Sequence, residues 1–93
     1  MSTSATQFSV DIYTPDSVAA QGLAADSLLL QSADGEIQIL PGHVQLMTKL
    51  VSGVIVVMQG KKKYHFATAA GTCRVLENNI YILVKSAEKT LEE

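Results

Sequence analysis

The stretch DGEIQILPGH, from Asp34 to His43, holds the side chains best spaced for chemistry. Asp34 and Glu36 stand one residue apart at the start of a strand-like run, which puts both carboxylates on one face beside a turn. Such a pair divides acid and base roles only when burial drives the two pKa values apart. These two flank a polar turn, and loops meet solvent, so the spacing predicts a solvated tip. Together with His43 they would form the acid-base group of a small enzyme only if a concave pocket enclosed all three.

The remaining reactive side chains are scattered. A zinc site needs three or four nitrogen or sulfur ligands, and His43, His65 and Cys73 show no paired spacing, so neither a metal nor a cofactor is expected. Cys73 falls in a strand with no base beside it and reads as a small core residue. AAGTCR, residues 69–74, lacks the glycines and the lysine with which a P-loop cradles phosphates. His65 alternates with Tyr64 and Phe66 and reads as a cross-strand surface residue. Lys61 to Lys63 read as a charged hairpin tip that keeps a strand edge from pairing with other chains. No residue is assigned a catalytic role.

These residues must be carried by short strands. FSVDIY alternates, with Phe8, Val10 and Ile12 on one side and Ser9, Asp11 and Tyr13 on the other. TPDS turns the chain, and SVAAQGL and DSLLLQ are two further strands. SADG leads through a permissive Gly35 into EIQIL, which Pro41 and Gly42 end. HVQLMTKL is the least regular segment and reads as a connection. GVIVVM, KYHFAT, TCRVL and IYILVK follow as strands, with reversals at QGKK and ENN. Only the tail, SAEKTLEE, reads as helical, and it is too short to hold alone. Residues 1–7 are expected to be extended or disordered, 8–86 to form the domain, and 87–93 to begin a helix or tail. Strand after strand with tight turns indicates an all-β sandwich or barrel.

Composition sets bounds on function. A chain of 93 residues is one domain, and at this size folding buries roughly 60 to 65% of the surface exposed by the unfolded chain. Stability is then marginal, and association with a larger partner would supplement it. A formal charge of -2, with one basic cluster rather than a stripe, excludes nucleic acid as the expected ligand. A single cysteine cannot form an internal disulfide, which fits an intracellular compartment. MSTSATQ lacks the basic start and apolar stretch of a secretory signal. No apolar run approaches the roughly 20 residues a spanning helix needs, so the chain is not expected to insert into a membrane directly.

The order of these features resembles the epsilon subunit of F-type ATP synthases, called delta in mitochondria. DSLLLQSADGEIQILPGHVQLMTKL is similar to that family's run of Ala-Asp, an apolar strand, Asp-Gly-Glu, Ile-Leu-Pro-Gly-His and a Leu-Leu-Thr-like segment. Ala25 and Asp26, Asp34 to Glu36, Ile39 to His43, and Leu46 with Thr48 carry the match. FSVDIYTPDS, GKKKYHFATAAG and NNIYILVKSAE extend it from Phe8 to about Glu88. Ser32, Gln38, Gln45, Ala70 and Arg74 depart from the usual residues, which affects loop shape and partner contacts and leaves the fold untouched.

The resemblance implies a flattened sandwich of two antiparallel sheets and a rotor part with no chemistry of its own. It implies gamma-subunit and c-ring partners, with Asp34, Gly35 and Glu36 facing the c-ring and His43, Leu46 and Thr48 near gamma. Gly35, Pro41 and Gly42 would set the turns that hold these contacts. Family members usually continue into a C-terminal helical hairpin, which this sequence does not include, so no ATP site is expected. The implied location is peripheral, through the complex, on the cytoplasmic face of a bacterial inner membrane or the equivalent stromal or matrix face. Two rivals remain: the small acid-base enzyme, and a free-standing binding module of similar fold.

Overall fold

The computed structural model describes residues 7–41 and 46–92. Among them lie ten strands: β1 (Phe8–Tyr13), β2 (Val18–Ala25), β3 (Ser27–Ser32), β4 (Gly35–Ile39), β5 (Leu46–Leu50), β6 (Gly53–Gln59), β7 (Lys62–Thr68), β8 (Gly71–Leu76), β9 (Asn79–Val84) and β10 (Ala87–Glu92). They form two five-stranded layers. One has the order β2-β1-β9-β8-β5 and the other β4-β3-β6-β7-β10, joined where Ser32 at the end of β3 pairs with Leu50 of β5. The expected all-β sandwich is therefore the observed architecture.

Side-chain alternation makes the core. Val10 and Ile12 of β1, Ile80, Ile82 and Val84 of β9, and Cys73 and Val75 of β8 point inward from the first layer. Leu28, Leu30, Ile39, Ile55, Val57 and Phe66 meet them from the second. Complete burial of each Val, Leu or Ile contributes about 1.5 to 3 kcal/mol, and the alternate residues are left for solvent or partners.

Three local readings need revision. First, one pair in the sandwich is parallel: β1 runs alongside β9, with Val10 opposite Ile80 and Ile12 opposite Ile82. This register places four buried aliphatic side chains on one inner face, a long-range match that local periodicity does not reveal. Second, HVQLMTKL is more than a connection, because Leu46–Leu50 forms β5 against β8. Third, where a helix or tail is expected to begin over 87–93, Ala87–Glu92 forms a strand, β10, paired antiparallel with β7; Glu93 lies outside the described residues. Seven residues cannot stabilise a helix unaided, whereas the free edge of β7 offers ladder partners, interrupted once between Lys89 and Leu91, and Ala87 packs on the core.

Candidate functional site

β3 and β4 are joined by a two-residue hairpin, Ala33 and Asp34, with Ser32 opposite Gly35. The Ser32 hydroxyl donates to the Gly35 carbonyl at 2.7 Å and accepts from the Asp34 amide at 3.2 Å, so a buried polar side chain is satisfied and the tip is fixed. Gly35 has φ 124°, a backbone region close to exclusive to glycine, which gives its expected turn role a physical basis. Asp34, Gly35 and Glu36 are all exposed. The Glu36 carboxylate accepts a long hydrogen bond of 3.4 Å from the Gln31 side chain across the hairpin.

Pro41 follows at the opposite end of β4, half-buried, with Leu40 exposed before it. At about 3.3 Å per residue, the strand separates these ends by roughly 13 Å. Gly42 and His43 lie outside the described residues. DGEIQILPGH is thus split by its own strand, with the acidic tip at one end and the turn segment starting at the other. None of the three main surface depressions is lined by Asp34 or Glu36. Both carboxylates stand exposed on the hairpin tip, the setting expected of a solvated loop. Cys73 is fully buried, and burial pushes its thiol up to about 12, which removes it as a nucleophile at neutral pH.

β5 sorts the remaining residues expected at the site. Leu46 and Thr48 are half-buried, and Leu46 packs against the core. Met47 and Lys49 alternate outward and are exposed. Met47 lies opposite Arg74, Arg74 opposite Tyr81, and Tyr81 opposite Asp11, forming one row across the outer face of the first layer. The adjacent row runs from Lys49 through Thr72, Leu83 and Tyr13 to Val18. Met47 is 67% exposed, and Leu83 and Val18 are each 52% exposed. Met, aromatic and Arg side chains on one face are the composition enriched in protein interfaces.

Sequence reasoning missed Val18, Tyr81 and Leu83 as a surface, and noted Arg74 only as a departure that affects partner contacts. The signal lay in IYILV, whose apolar residues occupy both faces of β9, a pattern expected when both sides of a strand are covered. Among the described residues no group of three or more His, Cys, Asp or Glu side chains gathers as a metal site would require.

Comparison with known proteins agrees with this architecture. The sequence profile of the family described as "ATP synthase, Delta/Epsilon chain, beta-sandwich domain" matches residues 7–90. The ATP synthase epsilon chain of Desulforamulus reducens is 36% identical over 80 residues, covering 86% of this chain and 60% of the relative. That of Gloeothece citriformis is 39% identical over 80 residues, covering 86% of this chain and 57% of the relative. The chain therefore spans a little over half the length of these curated relatives. In fold it is similar to a chain in the Euglena gracilis mitochondrial ATP synthase OSCP/F1/c-ring structure, at a TM-score of 0.84 and 20% identity, covering 90% of this chain and 54% of that one. A chain of the Tetrahymena thermophila mitochondrial ATP synthase central stalk and c-ring gives a TM-score of 0.71 at 15% identity, covering 86% of this chain and 64% of that one. With a family match across nearly all described strands and relatives above one-third identity, the chain belongs to the ATP synthase delta/epsilon-chain β-sandwich family.

Proposed function

We propose that this chain is the sandwich of a non-catalytic central-stalk subunit of an F-type ATP synthase, linking the gamma subunit to the c-ring so that ion flow is coupled to ATP synthesis. The observation that carries this reading is the exposed Met47, Leu83 and Val18 surface on a sandwich of this family. With Tyr13, Arg74 and Tyr81 on the same face, these side chains have the composition of a protein interface. Gamma is assigned to this face, with His43, Leu46 and Thr48 as the further contacts that the family resemblance implies. The c-ring is assigned to the Asp34, Gly35 and Glu36 tip, whose carboxylates can accept charge-assisted hydrogen bonds from Arg or amide donors.

The subunit performs no reaction. Its task is to keep two adhesive surfaces at fixed separation, which a rigid sheet scaffold does better than loops alone. Its place is then peripheral, held through the complex on the cytoplasmic face of a bacterial inner membrane or the corresponding organellar face. The names of its relatives and the stalk assemblies of its fold neighbours support this reading.

Co-purification with the gamma subunit from the same source, followed by calorimetry, tests the proposal. One-to-one binding that Met47→Asp with Leu83→Asp abolishes, while the variant keeps its β-sheet spectrum, is the expected result. A folded chain that does not bind gamma would favour a free-standing binding module.

A further inference from the structure

The chain's first crossing from one layer to the other is a single residue, Asp26, between the end of β2 at Ala25 and the start of β3 at Ser27. Two distant segments converge on it. Its backbone amide donates to the Met58 carbonyl at 2.7 Å. One carboxylate oxygen accepts from the Gln7 side chain at 3.2 Å, just before β1, and the other accepts from the Gly60 amide in the β6–β7 hairpin. Beside it, the Gln59 side chain donates to the Ala24 carbonyl at 2.9 Å.

The two-residue hairpin pairs Gln59 with Lys62, so its tip is Gly60 and Lys61. The amide of the first tip residue has no partner in the ladder of such a turn and would ordinarily face water. Capture by a carboxylate gives it one of the stronger classes of hydrogen bond. The same side chain holds Gln7 at the entry to β1, so the residue at the corner fastens the hairpin of one layer to the start of a strand in the other. Ala25 and Asp26 are among the residues that carry the family likeness, and that likeness gives Asp26 no role.

We propose that Asp26 is a positioning residue, a latch that fixes the β6–β7 tip, and with it Lys61 to Lys63, in the frame of the first layer. The latch is a conformational device of the sandwich and does not depend on which partner the chain binds. Released, the tip would remain a paired hairpin but would tilt as a unit relative to β1 and β9.

Residual dipolar couplings on the full chain test this directly. In the unsubstituted protein the amides of Lys61 to Lys63 should fit the alignment tensor of the β1 and β9 amides. In Asp26→Ala they should no longer fit it, with amide exchange around the tip faster by about tenfold and exchange at Val10 and Ile82 unchanged. Asp26→Asn, which keeps one acceptor oxygen, should restore the fit. Gln59→Ala removes the neighbouring strut and leaves the carboxylate, so the tip should stay aligned. Retained alignment in Asp26→Ala, equal misalignment in the Asn variant, or lost alignment in Gln59→Ala would each overturn the assignment.

Discussion

The Gly22 amide donates to the Asp11 carboxylate at 2.7 Å, across the irregularity where β2 departs from regular pairing with β1. Val10 pairs with Leu23 and Ile12 with Ala20, so Gln21 and Gly22 together face Asp11 alone. A bulge leaves an amide without its ladder partner, and the carboxylate supplies one. The second oxygen of Asp11 accepts from the Tyr13 hydroxyl at 2.9 Å on the same outer face. Asp11 thereby ties the bulged edge to the surface assigned to gamma.

Tyr13 should titrate above an ordinary phenol. Its hydrogen bond to Asp11 holds the phenol above its ordinary value of 10.0, with partial burial and the neighbouring negative charge acting in the same direction. For an acid whose folded pKa is raised, the stabilising contribution is complete below the unfolded pKa and is lost as pH rises through the folded one. Ultraviolet titration of Asp11→Asn should move the Tyr13 transition back toward the ordinary value. An unchanged transition would mean that Asp11 is not its cause.

Removing the Asp11 carboxylate should also cost stability. A hydrogen bond to a charged group contributes about 1.5 to 3 kcal/mol, and Asp11 is only partly buried, so the low end applies. Urea unfolding of Asp11→Ala should show a loss of roughly 1 to 2 kcal/mol at an unchanged denaturant slope.

Gly71 is predicted to tolerate no side chain. It sits in the β8 register opposite Val84, where an added Cβ would lie 2.0 Å from the Leu83 carbonyl and 2.7 Å from the Val84 Cα. Both obstacles are backbone, so the strands themselves must separate. Gly71→Ala should lower the stability by about 1 to 3 kcal/mol, the range for overpacking. Thermal unfolding measures it, and a wild-type midpoint would contradict this close approach.

Cys73 should be silent toward thiol reagents until the protein opens. With the thiol pushed up to about 12 by burial, almost no thiolate exists at pH 8, and no path leads to the sulfur. Ellman's reagent should react at the rate of unfolding in native buffer and immediately in urea. Fast native labelling would show that β8 frays readily.

Glu36 supplies a prediction about coupling that rests on the proposed function. Its exposed side chain accepts a long hydrogen bond from Gln31, so Glu36→Ala should leave the melting temperature within about 1 °C of wild type, as surface changes do. In synthase rebuilt into vesicles the same change should weaken ATP synthesis driven by an ion gradient. Unimpaired coupling would remove Glu36 from the c-ring contact.

Much of this architecture was legible because it is written locally. FSVDIY and EIQIL alternate cleanly, and SADG carries both the turn residues and the glycine that the hairpin demands. β5 was not legible, since Thr48 and Lys49 dilute the apolar period and strand pairing with β8 supplies what the pattern lacks. The tail was misread because SAEKTLEE is rich in helix formers, and the edge of β7 overrode that weak preference. At the site, turn chemistry located the acidic tip at Asp34 to Glu36. The Met47 and Leu83 face stayed hidden because a run such as IYILV does not say which of its faces lies against the core.

The parallel pairing of β1 with β9 has a consequence for how the chain is made. Ser9 lies opposite Asn79, a separation of 79 − 9 = 70 residues, and β1 has only β2 beside it until β9 has emerged. On the ribosome the first hairpin must therefore wait for its β9 neighbour while residues 26–78 are translated. Closure of the first layer is a late, long-range event of the kind that slows folding into the millisecond to second range. During that interval the nascent chain exposes a sticky edge, which makes chaperone capture or rapid release more important for this small domain than its length would suggest.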